Sequence, residues 1–165
     1  MEKTLTAKKL KENSELKVFV RHFKRGKDLK TKEITYTRFL RDKLLVANAV
    51  KRGVPNILFS EIKSNSPFDD KQWSSFLDIN VRTFQRYKKV KTHIFKQIQS
   101  EKIFELAEVV SLGNEVFDSP EHFMIWLKTP SMALGKIKPI DLLDSSYGKD
   151  MVIAELNRIE HGIFV

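Results

Sequence analysis

Apolar side chains recur at intervals of three and four from position 36 onward, through Tyr36, Leu40, Leu44, Ala47 and Val50. That period puts one stripe on one side of a helix and predicts a helix of about 15 residues. Arg52-Gly53 closes it with a basic last turn and a C-terminal glycine. Pro55 opens a second, shorter helix that buries Leu58, Phe59 and Ile62. Ser66-Pro67-Phe68-Asp69 then supplies a serine cap, a proline at the first helical position and a carboxylate three residues on, so a helix is predicted through Trp73 and Leu77. Asp78-Ile79-Asn80 interrupts it, and Asn80 is placed to cap the next helix, Val81 to about Lys89. Two short helices with three residues between them have helix-turn-helix geometry.

The back half carries a longer period. Ile103, Leu106, Val110, Gly113 and Phe117 step by three and four, with Glu101, Glu105, Glu108 and Glu115 on other faces. Asp118-Ser119-Pro120-Glu121 ends that helix and caps another containing Phe123, Trp126 and Leu127, which Thr129-Pro130 closes. Pro139 to Leu143 reads as a short helical turn. Tyr147-Gly148 then separates it from a last helix, Lys149 to about His161, with Met151, Val152, Leu156 and Ile159 inward. Gly162 ends that helix and Ile163-Phe164-Val165 forms an apolar tail that is expected to dock. Met1 to Lys32 follows neither period well. It reads as a basic arm with one short element around Leu16, Val18, Phe19, Val20 and Phe23.

The expected class is therefore all-α: a basic N-terminal arm (1–35), a helix-turn-helix domain (36–91) and a small helical domain (92–165). Composition agrees, because Gly and Pro together number only 11 of 165 residues, too few for a turn-rich β protein. The absence of cysteine excludes a disulfide scaffold, a thiolate zinc site and a cysteine nucleophile. The apolar runs, such as Leu44 to Ala47, are far shorter than the roughly 20 residues of a membrane span. The first ten residues also lack the apolar core of a signal peptide, so a cytoplasmic protein with no membrane association is expected.

Charge divides the chain more sharply than its net value of +9 suggests. Residues 1–100 hold 24 basic and 10 acidic side chains, net +14, and residues 101–165 hold 6 and 11, net −5. A basic front suits a polyanion and an acidic back suits a protein. From Arg82 to Lys96 there are six Lys/Arg and no acid. At about 100° per residue, Gln85, Arg86 and Lys89 project close to Arg82, whereas Phe84 points nearly opposite. Such a face can displace counterions from phosphates, and its Arg and Gln side chains can bond base edges in the major groove. The alternative is an ordinary amphipathic bundle helix with a solvated face.

One string of residues is more specific. Trp126-Leu127-Lys128-Thr129-Pro130-Ser131-Met132-Ala133-Leu134-Gly135, Pro139-Ile140-Asp141-Leu142-Leu143-Asp144, Tyr147-Gly148 and Leu156-Asn157-Arg158-Ile159-Glu160-His161-Gly162-Ile163-Phe164 occur in that order. They resemble the C-terminal toxin-binding domain of Xre/MbcA/ParS-type antitoxins over about residues 92–165. Asn80-Val81-Arg82-Thr83-Phe84-Gln85-Arg86 resembles that family's recognition-helix segment, with Phe84 where an aliphatic residue is more usual. Two departures stand out: Asp78 occupies the turn where glycine is common, and Lys136 replaces a second glycine after Gly135.

The resemblance implies a type II antitoxin. Its partner would be a cognate toxin, a RES-domain protein that consumes NAD, whose active site it masks. As a homodimer it would repress its own operon by binding operator DNA. On this reading Arg82, Thr83, Gln85, Arg86 and Lys89 meet DNA. Arg158, Glu160, His161, Ile163 and Phe164, a polar edge joined to an apolar tail, meet the toxin. A second reading is a stand-alone dimeric DNA-binding regulator whose C-terminal half only dimerises.

Catalysis is not expected. His161 lies beside Glu160 and near Arg158, but neighbouring helical side chains diverge by about 100°, and a basic group in a last turn interacts favourably with the helix dipole. His22, His93 and His122 show no metal-ligand spacing, and Asp69-Asp70 reads as a helix N-terminal pair. No phosphate-cradling glycine motif or nucleophile elbow occurs, so no cofactor and no metal are expected. Trp126, Leu134, Leu142 and Leu143 are expected in the core.

Overall fold

Asp42 divides in two what the apolar period of 36–52 predicts as one helix. In the computed structural model, which describes residues 14–22 and 34–162, the Asp42 N–H donates to the Phe39 carbonyl and its carboxylate accepts from the Leu45 N–H at 3.0 Å. One residue therefore stops a helix and starts the next. The resulting elements are α1 (Ser14–Arg21), α2 (Tyr36–Arg41), α3 (Lys43–Arg52), α4 (Asn56–Ser64), α5 (Asp70–Phe76) and α6 (Val81–Lys89). They are followed by α7 (Gln97–Val116), α8 (Pro120–Lys128), 3-10 turns at Met132–Leu134 and Pro139–Leu142, and α9 (Ser146–Glu160). The break also resets the helical phase. Leu45, Ala49 and Val50 are buried, whereas Leu44 and Ala47, expected inward, face solvent.

The all-α class holds, and a helix-turn-helix is followed by a C-terminal helical unit. Among the described residues, strand-like pairing is confined to the isolated bridges Pro55–Ile94 and Ser131–Ile137. α7 is the axis of the molecule, with α2 and α3 against it on one side and α9 along it on another. Its Phe104 meets Phe39 and Phe19, with ring centres 5.3 and 6.5 Å away. Phe19 belongs to α1, so the short element expected in a basic arm is part of the core. Leu16, Phe19 and Val20 are buried there, while Val18 is exposed; Phe23 lies outside the described residues. Glu61 of α4 anchors the start of α1 by accepting from the backbone N–H groups of Glu15 and Leu16, a favourable place for a carboxylate. It also accepts from the Tyr36 hydroxyl, whose ionisation is opposed by burial and by Glu61 itself.

A second aromatic centre surrounds Phe59, which contacts Trp73, Phe84 and Phe95 at ring-centre distances of 5.1, 5.8 and 4.8 Å. Fully burying one such side chain contributes roughly 1.5–3 kcal/mol. This centre joins α4, α5, α6 and the approach to α7 into one bundle.

Three further expectations change. Asp69, not Ser66, caps α5, through a reciprocal pair of hydrogen bonds with Gln72. Ser66 is committed elsewhere, donating to the Lys63 carbonyl and accepting from the Trp73 indole N–H. α9 begins at Ser146, capped by Ser145, so Tyr147 and Gly148 lie inside its first turn. Gly148 packs directly on the Leu142 carbonyl and serves as a point of close approach. Met151 is exposed, because the inward stripe of α9 runs through Gly148, Val152 and Leu156, with Ile159 half-buried. Of the four residues expected in the core, Leu134 and Leu143 are buried, while Trp126 and Leu142 are partly buried against it.

Candidate functional site

The α5–α6 pair is built by local capping and one deep anchor. After Leu77 the chain turns through Asp78, whose φ of 50° is in the left-handed region where glycine is common. The Ile79 N–H returns to the Ser74 carbonyl at 3.0 Å, and Asn80 accepts from the Thr83 N–H at 2.8 Å, as its position predicts. Phe84 then drops fully into the aromatic centre. This orientation turns the opposite side of α6 outward.

On that outer side Arg82, Arg86 and Lys89 are exposed, whereas Thr83 and Gln85 are half-buried. The Arg86 guanidinium lies 5.7 Å from the centre of the Tyr87 ring. Gln85 is less free than its helical position suggests. Its side-chain nitrogen donates to Asp70 Oδ2 at 2.6 Å, and Lys88 Nζ donates to the same oxygen at 2.7 Å. Lys63 of α4 pairs with Asp70 Oδ1 at 2.8 Å. The sequence marks Asp69-Asp70 as a helix N-terminal pair and shows neither Asp70's reach to α6 nor the part of Lys88. The only available signal was the acid-free run opposite two adjacent aspartates.

Asn56 was also missed. Buried at the start of α4, it donates through its side-chain amide to the carbonyls of Tyr87, Lys88 and Val90 at 3.1, 3.3 and 3.0 Å, gripping the C-terminal end of α6. Its signal in the sequence is faint: a polar residue just ahead of Leu58 and Phe59. His93 stacks on Tyr87 with ring centres 3.8 Å apart; burial, then the charge of Arg86, lowers its pKa and favours the neutral imidazole.

The second candidate surface is the end of α9. Arg158 pairs with Glu155 of its own helix at 3.0 Å. Glu160 and His161 are exposed, and His161 Nδ1 is 2.7 Å from the Asn157 carbonyl, the geometry of a side chain closing a last turn. Arg158, Glu160 and His161 thus share one helix end; Ile163 and Phe164 lie outside the described residues.

Between α3, α7 and α9 an open cleft of about 340 Å³ is lined by Lys43, Glu108 and Lys149 among others. Glu108 accepts from Lys43 at 2.9 Å and Lys149 at 3.1 Å, so these three charges satisfy one another. Among the described residues no cluster of three or more His, Asp or Glu could hold a metal ion, and no helix is long and apolar enough to cross a membrane.

Residues 46–108 match the antitoxin Xre-like helix-turn-helix domain, and residues 112–162 match the antitoxin Xre/MbcA/ParS C-terminal toxin-binding domain. The first segment ends and the second begins within α7. A Sphingobium sp. (strain YBL2) protein named Prs ADP-ribosylating antitoxin is 28% identical over 124 residues, covering 70% of this chain and 77% of that one. Antitoxin Xre of Photorhabdus laumondii subsp. laumondii is 27% identical over 118 residues, covering 70% and 79%. Among solved structures, a chain of the M. tuberculosis MbcT-MbcA toxin-antitoxin complex superposes with a TM-score of 0.52 at 23% identity, over 65% of this chain and 94% of that chain, which establishes a shared fold.

Proposed function

Because the chain belongs to the Xre/MbcA/ParS antitoxin family, we propose that it neutralises a cognate toxin through its C-terminal unit and represses its own operon through α5 and α6. The match of residues 112–162 to a toxin-binding domain carries this reading. The toxin-facing residues are Arg158, Glu160 and His161 at the end of α9, continued by Ile163 and Phe164. The partner is a RES-domain, NAD-consuming toxin whose active site this end masks. The Sphingobium relative's name joins an antitoxin to ADP-ribosylation, a modification whose donor is NAD, and this supports the choice. The acidic balance of residues 101–165 suits a protein partner, while the exposed Arg82, Arg86 and Lys89 suit operator phosphates. Binding to a two-fold operator calls for a homodimer, and the protein itself acts by masking, without chemistry of its own.

Co-expression with the neighbouring reading frame tests the neutralising half. The frame alone is expected to arrest growth, and the pair to restore it. Deleting residues 158–165 should abolish rescue; rescue by the truncated chain would overturn the masking surface. Operator binding is tested separately by gel shift. Arg82→Ala combined with Arg86→Ala should weaken it and flatten its dependence on salt, with the thermal midpoint nearly unchanged.

A further inference from the structure

We infer that Asp70 is a specificity-determining positioning residue: it fixes the side-chain amide of Gln85 so that α6 reads adenine at the base pair Gln85 faces. The inference rests on the proposed operator contact and adds a base preference to it. A free glutamine at a groove surface can turn its amide over, because oxygen and nitrogen occupy similar space. Here the nitrogen is held inward by Asp70 Oδ2 at 2.6 Å. An ionised carboxylate only accepts, so the flipped amide would set oxygen against oxygen. Burial opposes ionisation of Asp70, but hydrogen bonds from Lys63, Lys88 and Gln85 outweigh it and hold the carboxyl well below the usual range.

With one N–H spent on Asp70, Gln85 keeps one oxygen acceptor and one N–H donor for a partner. That pair complements adenine, which presents an N6–H donor beside the N7 acceptor in the major groove. Guanine presents two acceptors there and would oppose the fixed oxygen. A favourable place for an acid at the start of α5 accounts for Asp70 being negative. It does not account for the convergence of Lys63 from α4 and Gln85 and Lys88 from α6 on the two oxygens of one side chain. Asp70 also holds Lys88 off the phosphates and places a negative charge beside the basic face, so it lowers general affinity for DNA while sharpening selection.

The experiment is binding-site selection from randomised duplexes, using the full chain at constant salt. Wild type, Asp70→Ala, Asp70→Asn and Gln85→Ala are compared, each held well below its own thermal midpoint. Wild type should prefer adenine by about tenfold or more at one position of each half-site. Gln85→Ala should lose the preference at that position alone. Asp70→Ala should lose it at the same position while binding random-sequence DNA more tightly, because a negative charge has gone. Asp70→Asn should gain the same general affinity but keep part of the preference, since it retains an acceptor. The inference is overturned if Asp70→Ala keeps the wild-type preference, or if it weakens every position equally, as a merely structural residue would. Failure of the wild-type chain to bind any duplex would instead remove the operator reading on which the inference rests.

Discussion

Asn56 donates its side-chain amide to the carbonyl oxygen of Val90 at 3.0 Å, across 34 residues of sequence, and so ties the first residue of α4 to the cap of α6. The same amide reaches the Tyr87 and Lys88 carbonyls, and the Asn56 backbone N–H donates to the His93 carbonyl at 2.8 Å. The last carbonyls of a helix have no partner within it, and here a buried side chain supplies one. The outer face of α6 is thereby held at a fixed angle to the bundle.

Asn56→Ala removes those donors from part-buried carbonyls, of which Tyr87 and Val90 retain only the backbone N–H groups of Val90 and His93. A loss of about 2 kcal/mol is expected, read as a lower urea midpoint. Asn56→Asp should cost more, because an acceptor would then face acceptors. Both variants should weaken operator binding beyond what their stability explains, since the end of α6 is freed.

Gly148→Ala should destabilise although Ala usually favours a helix by about 1 kcal/mol over Gly. Its Cβ would run into the Leu142 carbonyl, a backbone atom that cannot rotate away. Overpacking of this kind costs about 1–3 kcal/mol, and differential scanning calorimetry should show a lower midpoint. Because Gly148 sits beneath the turn that leads into α9, toxin neutralisation should fall with it.

Asp78→Gly is expected to stabilise. The φ of 50° strains an L-residue by roughly 1 kcal/mol, which glycine relieves while adding some freedom to the unfolded chain. The net gain should be about 0.5 kcal/mol, a rise of about 1–2 °C in Tm. Operator affinity should rise slightly and alike for every sequence, since a negative charge is lost beside the basic face while the turn is kept.

Stability should fall at both pH extremes through one contact. Burial opposes ionisation of Glu108, but hydrogen bonds from Lys43 and Lys149 outweigh it and lower its pKa below the ordinary 4.5. A lowered folded pKa means a contribution fully present above 4.5 and lost as pH drops through the folded value. Lys149 is opposite in sign: burial works against its charge, but Asp150 and Glu108 raise its pKa above 10.5. Its contribution is present below 10.5 and lost as pH climbs through the folded value. Urea midpoints measured from pH 3 to 11 should trace a plateau with two falling edges. Lys149→Met should remove the alkaline edge contributed by this residue and shallow the acid one.

What the sequence determined by itself is local. The Asn80 cap, the start of α8 at Ser119-Pro120 and the inward turn of Phe84 each depend on residues within four positions, where helical geometry leaves few choices. The ordered string from Trp126 to Gly162 was equally legible, and it marked the family. Tertiary structure decided whatever depended on competition between distant groups. Asp42 could have continued a helix, yet it caps at both sides because the chain bends there to lay α2 and α3 on α7. Ser66 could cap α5 until the Trp73 indole and the Lys63 carbonyl occupied its hydroxyl. Gln85 belongs to the outer face by its angle on the helix, but its amide is committed by an aspartate fifteen positions earlier. Period and capping are written within a few residues of one another, whereas the partner of a side chain is chosen only when the bundle closes.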